Sequence, residues 1–188
     1  PIGVAVDSNQ HLFISNFGDN GITQCNLDSL GNVDPASCLT STISTNLNPE
    51  GMAIYNGNLY IANNYTSSNL ALSCSLAPTG INIGSCMTLS STNVSNTIRA
   101  EDIVFDNYHA FLTYYQYGYI QCNLSAGSID LNSCIQYTPG VNANMNTPRG
   151  VAILNGMIYF VNSGNNSISQ CPVNFNGVDT ANCTNIMD

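Results

Sequence analysis

Lysine and tryptophan are absent from this chain, and arginine occurs only as Arg99 and Arg149. Charged residues make up 7% of its 188 residues, against roughly a quarter in ordinary soluble domains. The net charge of −9 leaves no basic patch of the kind that nucleic acid or an anionic membrane surface requires. No apolar run approaches the ~18 residues that a membrane-spanning helix needs. There is no signal peptide, and the chain starts at Pro1, which reads as a processed mature chain or an excised fragment. No CxxC pair occurs, and His11 and His109 are the only histidines, so a zinc centre is not expected. A GxSxG nucleophile elbow, a catalytic Cys/His set and a phosphate loop are also missing. Hydrophobic residues nevertheless reach 44%, enough for a real core. Solubility must then rest on Asn, Ser, Thr and Gly, and on any attached sugar.

What the chain does contain is a repeat. Its eight cysteines form the pairs Cys25/Cys38, Cys74/Cys86, Cys122/Cys134 and Cys171/Cys183, separated by 13, 12, 12 and 12 residues. The first members recur at steps of 49, 48 and 49. The copies begin PIGVAVDSNQHLFISN, PEGMAIYNGNLYIAN, AEDIVFDNYHAFLTY and PRGVAILNGMIYFVN, which sets units at about 1–48, 49–98, 99–147 and 148–188. Each opens with a short apolar run, as at Val4 to Val6, and turns at a site that in two copies is Asn56-Gly57 or Asn155-Gly156. Asn-Gly between apolar runs is a strong hairpin signal. A β-branched and aromatic run follows, then a polar loop, then a third run ending at the first cysteine. The second cysteine opens a fourth strand. No segment has a 3.6-residue apolar period, so almost no helix is expected.

Four antiparallel strands in a repeat of this length describe a propeller blade, and the fold class is all-β: a single-domain β-propeller of four four-stranded blades. The midpoint of each cysteine pair falls at or beside a glycine in the turn between strands three and four. That symmetry makes the two cysteines cross-strand neighbours, so one disulfide is expected inside each blade. Four such pairs point to an oxidising, extracellular compartment. Candidate N-glycosylation sequons at Asn64, Asn93, Asn123, Asn165 and Asn182 agree with secretion or cell-surface display.

The opening PIGVAVDSNQHLFISNFGDNGITQC resembles the NHL repeat, whose pattern is Pro-x-Gly-apolar-Ala-apolar-Asp, an aromatic-rich strand and an Asn/Gly loop. Copy four matches nearly as well and copy two fairly. Copy three departs, with Ala100-Glu101-Asp102 in place of Pro-x-Gly and tyrosines in place of the loop. The resemblance implies the propeller fold. It leaves the activity open among protein-binding modules, streptogramin-type and peptidyl-hydroxyglycine lyases, and gluconolactonase-like hydrolases. Propellers of this kind usually have more than four blades. Either four blades close directly, which is the arrangement favoured from the sequence, or the chain is an arc completed by further chain or another subunit.

The loops that cluster around a propeller's channel supply the candidate site. The residues entering strand one are Ile2, Glu50, Glu101 and Arg149, so three of four equivalent positions are charged, and no other glutamate exists. The loops after strand two add Asn16, then Asn63, Asn64 and Tyr65, then Tyr114, Tyr115 and Tyr117, then Asn162. On the functional reading these residues bind a ligand, with Glu50 or Glu101 available as a base and Arg149 as an anion holder. On the structural reading the charges pair and seal the channel. Glu50, Glu101, Asp102 and Asn162 could be assembled into a gluconolactonase-like metal site, and a structural Ca2+ in the channel is a candidate for the same oxygen-rich reason. No other cofactor is expected. His11 and His109 fall towards the opposite face, against a lyase. The leading expectation is a non-catalytic module that binds protein or glycan. Self-assembly into an extracellular filament or ring is the second, and a gluconolactonase-like hydrolase or lyase using Glu50 and Glu101 the third.

Overall fold

A computed structural model describes residues 1–43, 47–65, 69–95, 98–115, 118–138 and 145–187. Four antiparallel sheets succeed one another along the chain, one per repeat. Blade 1 holds β1 (Val4–Val6), β2 (His11–Asn16), β3 (Gly21–Leu27) and β4 (Val33–Thr42). Blade 2 holds β5 (Pro49–Tyr55), β6 (Asn58–Asn63), β7 (Asn69–Ala77), β8 (Gly80–Ile81) and β9 (Met87–Ser90). Blade 3 holds β10 (Ala100–Phe105), β11 (His109–Tyr114), β12 (Gly118–Ser125), β13 (Ser128–Ile129) and β14 (Ile135–Tyr137). Blade 4 holds β15 (Pro148–Leu154), β16 (Met157–Asn162), β17 (Ser167–Asn174), β18 (Gly177–Val178) and β19 (Thr184–Met187). The molecule is thus an all-β propeller of four-stranded blades. Among the described residues the only helical segments are 3-10 turns of three residues, and no helix is long and apolar enough to cross a membrane.

Local chemistry accounts for the hairpins. Asn56 and Gly57 sit at φ +46° and +73°, and Asn155 and Gly156 at +51° and +75°. Two consecutive left-handed residues make the turn whose twist matches a right-twisted hairpin, and Asn-Gly tolerates it best. In blades 2 to 4 the fourth strand is interrupted by a 3-10 turn just before the second cysteine, so β8 and β9 are two pieces of one strand. In blades 2 and 3 the serine preceding that cysteine repairs the break. Ser85 Oγ accepts from the Ser75 N–H at 2.8 Å, and Ser133 Oγ from the Asn123 N–H at 2.7 Å. Ser37 does the same for Asn26 in blade 1.

All four disulfides form within blades, as expected: Cys25–Cys38, Cys74–Cys86, Cys122–Cys134 and Cys171–Cys183, with Cα separations of 4.1, 4.1, 4.0 and 4.2 Å. The first cysteine of each pair is buried.

Three apolar cores lie between successive blades. Phe13, Ile22, Leu59 and Ile61 join blades 1 and 2. Tyr60, Ile103, Leu112 and Ile120 join blades 2 and 3, where Tyr55 also stacks on Phe105 at 4.7 Å. Phe111, Tyr119, Ile158 and Phe160 join blades 3 and 4. No core joins blade 4 to blade 1 among the described residues, so the direct closure favoured from the sequence is not formed. Val4 in blade 1 and Ile168 in blade 4 stay 66% and 39% exposed. The blades form an open arc around a central channel.

Each disulfide closes a loop of 12 or 13 residues. Replacing Cys74 and Cys86 together by alanine is expected to lower unfolding stability by about 2–3 kcal/mol, read from the denaturant midpoint at unchanged far-ultraviolet dichroism.

Candidate functional site

The inner strands β1, β5, β10 and β15 line a cleft of about 600 Å³ that receives residues from all four blades. Glu50, Glu101 and Arg149 stand at its mouth for a common backbone reason. Pairing slips between Pro49 and Met52, between Ala100 and Asp102, and between Pro148 and Gly150. Each charged residue lies in the slip as part of a β-bulge, which re-aims a side chain away from its sheet. The Pro-x-Gly of the repeat is therefore a bulge.

The structure brings both glutamates together. Asn64 Nδ2 donates to Glu50 Oε1 at 2.7 Å and to Glu101 Oε1 at 2.9 Å. Both glutamates are buried. Arg149 Nη1 donates to Glu101 Oε2 at 3.4 Å, while its guanidinium lies 5.1 Å from the centre of the Tyr115 ring. Half of the Arg149 side chain stays in solvent. Burial pushes the Glu50 carboxyl up from 4.5 to about 8, helped by its hydrogen bond to Glu101 and the Glu101 charge, and opposed by Asn64 and Arg149. Glu50 therefore keeps its proton at neutral pH and shares it with its neighbour.

Asp102 has a different task. Its carboxylate accepts from the Val151 N–H of blade 4 at 3.0 Å and from its own neighbour Ile103 at 2.9 Å. Burial raises it to about 6 against those two bonds. It also fills the space beside Gly51, where a Cβ would collide with it. A second, smaller cleft of about 290 Å³ opens beside the carboxyl pair. Phe17, Asn48, Asn64, Tyr65 and Arg99 line it, and Asn64 ties it to the two glutamates of the larger cleft through its hydrogen bonds.

Other expected site residues are placed elsewhere. Tyr114 is 1% exposed, packs in the core between blades 2 and 3, and donates its hydroxyl to the Tyr137 carbonyl at 3.3 Å. It is a core residue because neighbours on a strand face opposite ways, and Tyr115 takes the channel side. Asn63 and Asn162 are likewise buried. Asn63 Oδ1 accepts from the Asn48 N–H, and Asn162 Oδ1 from the Asn146 N–H, both at 3.1 Å. They brace the loop that precedes the inner strand. Asn16 donates to Thr23 within its own blade. Tyr117 lies outside the described residues. His11 and His109 are buried against Asp7 and Asp106 at the ends of their hairpins, far from chemistry.

Of the four residues considered for a metal site, Glu50, Glu101 and Asp102 line the large cleft and Asn162 does not. Asp102 is committed to backbone N–H groups, and Asn162 Nδ2 donates to Ser167 and Ser169. No group of three acidic, histidine or cysteine side chains is arranged for a metal ion among the described residues. Asn64 was expected in the channel-face loop set and also as a sequon. A glycan on its Nδ2 would have to leave through the gap between two carboxyls. The sequon residues Asn93, Asn123, Asn165 and Asn182 are exposed.

The arc is similar to several solved β-propellers. A candidate 6-phosphogluconolactonase of Bacteroides uniformis superposes with a TM-score of 0.72 at 12% identity, over 99% of this chain and 54% of its own. A protein from Lactobacillus plantarum gives 0.69 at 16%, over 100% and 56%. A virginiamycin B lyase of Staphylococcus aureus, crystallised with quinupristin in a catalytically inactive form, gives 0.65 at 13%, over 100% and 55%. These likenesses establish the fold. The chain spans little more than half the length of these proteins. No family model and no curated protein matches the sequence.

The Glu50 proton makes stability depend on pH. The native carboxyl loses its proton at about 8 and the unfolded one near 4.5. Its contribution is whole below 4.5 and is lost as pH rises through about 8. Glu50→Gln should melt with the wild type below pH 4.5 and above it once pH exceeds about 8, in thermal scans across that window.

Proposed function

We propose that this protein is an extracellular, non-catalytic binding module that takes a neutral glycan at the channel mouth. One observation carries the reading: two buried carboxyls, bridged by Asn64 and with Glu50 pushed up to about 8 by burial, stand beside the exposed Tyr65 and the half-buried Tyr115. Such a pair both donates and accepts, as vicinal sugar hydroxyls demand. The tyrosine rings offer flat apolar area with a hydroxyl at the edge, which suits the faces of a sugar ring. Glu50, Glu101 and Arg149 largely neutralise each other, so the site attracts no strongly charged ligand. The four disulfides support an oxidising compartment. The Pro-x-Gly bulges and Asn/Gly loops support an NHL-like ancestry for the blades. A channel Ca2+ would need further oxygens beside Glu50 and Glu101, and Arg149 opposes it.

A second reading is hydrolytic. A carboxyl raised to about 8 is poised for proton transfer, and solved propellers of similar fold include a candidate lactonase and a lyase.

Binding is tested with an array of neutral oligosaccharides followed by calorimetry. Tyr65→Ala and Tyr115→Ala should each weaken the best ligand about tenfold, the scale of one aromatic contact. An empty array, or capture of a protein ligand alone, overturns the glycan reading. Turnover of lactones by the intact protein, lost in both Glu50→Gln and Glu101→Gln, would put the hydrolytic reading in its place.

A further inference from the structure

The turns that join strands one and two of each blade, and those that join strands three and four, cluster on the face opposite the channel mouth. In blades 2 and 3 the second kind is Pro78-Thr79 and Ala126-Gly127. Between β17 and β18 the equivalent place is held by Phe175, followed by Asn176. Phe175 is 74% exposed, while every other phenylalanine of the chain is at least half-buried. Across the junction, the turn between β10 and β11 carries Tyr108, which is 58% exposed. Both rings line one cleft of about 320 Å³, together with the apolar side chains of Ile153 and Val173. That volume is in the range of small-molecule sites. Gly156 keeps the cleft open, since a Cβ there would meet nothing nearer than the Val173 carbonyl at 3.9 Å. At the junction between blades 2 and 3 the chain itself takes the same place: Asn56 Nδ2 donates to the Gly127 carbonyl at 3.0 Å.

Both aromatic residues sit on braced turns. Asp106 Oδ1 accepts from the N–H groups of Tyr108 and His109 at 2.6 and 2.5 Å, and the Tyr108 ring meets the His109 ring edge-on at 6.2 Å. Asn174 Oδ1 accepts from the Asn176 N–H at 2.8 Å. Gln121 of blade 3 grips that same turn, donating to the Asn176 carbonyl at 3.1 Å and accepting from the Val178 N–H at 3.3 Å. The cleft therefore belongs to a finished junction between two whole blades, and its walls are set before any ligand arrives.

The chemistry of the walls selects the ligand. Asp106 is the one charged residue among those lining the cleft. Its carboxylate is spent inside its own turn, on two backbone N–H groups and on His109 Nδ1 at 3.3 Å. Neither Arg99 nor Arg149 lines the cleft. Asn107 and Asn174, both exposed, add carboxamides, which donate as well as accept. Two aromatic rings, amides at the edge and no free charge match a sugar ring, which offers C–H faces to aromatics and hydroxyls around its rim. We propose that this cleft is a second binding site, on the face opposite the channel mouth, for one neutral pyranose ring held between Tyr108 and Phe175. The site stands independently of the channel-mouth reading. With both filled, one module would tie two glycan chains together.

Isotope labelling of the phenylalanine and tyrosine rings tests this by NMR on the oxidised chain, titrated with cellobiose, maltose and diacetylchitobiose. The Phe175 and Tyr108 signals should shift with at least one of these sugars and follow one saturation curve. Phe175→Ala and Tyr108→Ala should each weaken that curve about tenfold, read at the ring that remains. Both side chains are exposed, so each variant should keep the dichroism and melting temperature of the wild type. The Tyr65 and Tyr115 signals read the channel mouth in the same spectra. Shifts confined to Tyr65 and Tyr115 overturn this inference and leave the proposed function standing, and shifts confined to Tyr108 and Phe175 do the reverse. Silence of Tyr108 and Phe175 with all of these sugars overturns it. So does a response of that pair to tetramethylammonium alone, which would make the cleft an aromatic cage for cations.

Discussion

A sheet that is apolar on both faces cannot stand alone in water, and every other feature of this molecule answers to that constraint. β6, β11 and the middle of β7 and β12 are buried almost without interruption, because each is pressed from two sides. Strands with no polar face read as continuous apolar runs rather than alternating ones. Burial comes from the next blade, not from a helix, so stability is a sum of junctions. The two outer faces of the arc are where that sum is unfinished.

Polarity is supplied by amides. Burying an ionised group costs several kcal/mol unless it is well paired, whereas an amide hydrogen-bonded on both sides carries little penalty. Gln24, Asn56 and Gln121 seal junctions, and Asn63 and Asn162 brace loops, where other proteins would place ion pairs. Against that background the buried charges at the channel mouth stand apart. Glu50 is held in a setting that disfavours its charge, and Asn64 and Arg149 only partly offset it. Besides the Asp7–His11 and Asp106–His109 contacts and Asp102, little charge is buried among the described residues, and a carboxyl pair so disfavoured is the pattern expected of a binding or catalytic position.

Cysteine spacing alone made the four staples legible, and the repeat made the blades legible, because both are period-locked properties of the chain. Asn-Gly turns were equally direct. The convergence of Glu50, Glu101 and Arg149 could be read from their equivalent positions, although the bulge that aims them could not. Side-chain alternation said that half of the tyrosine cluster could be internal but not which half. Tyr114 and Asn63 end β11 and β6, and Tyr115 and Asn64 follow them and point the other way. One member of each pair was bound to be internal, and it was Tyr114 and Asn63. Curvature was out of reach, since it depends on how wide the side chains wedge each junction, and so closure was misjudged.

No disulfide crosses from one blade to another; every one is spent inside a single hairpin. Under tension along the chain, the junctions have no covalent guard and give way blade by blade. Each released blade can then pay out only part of its contour, because its crosslink withholds roughly 40 Å of extended chain. The arc would behave as a series of short, shock-absorbing steps, soft between blades and inextensible within each hairpin.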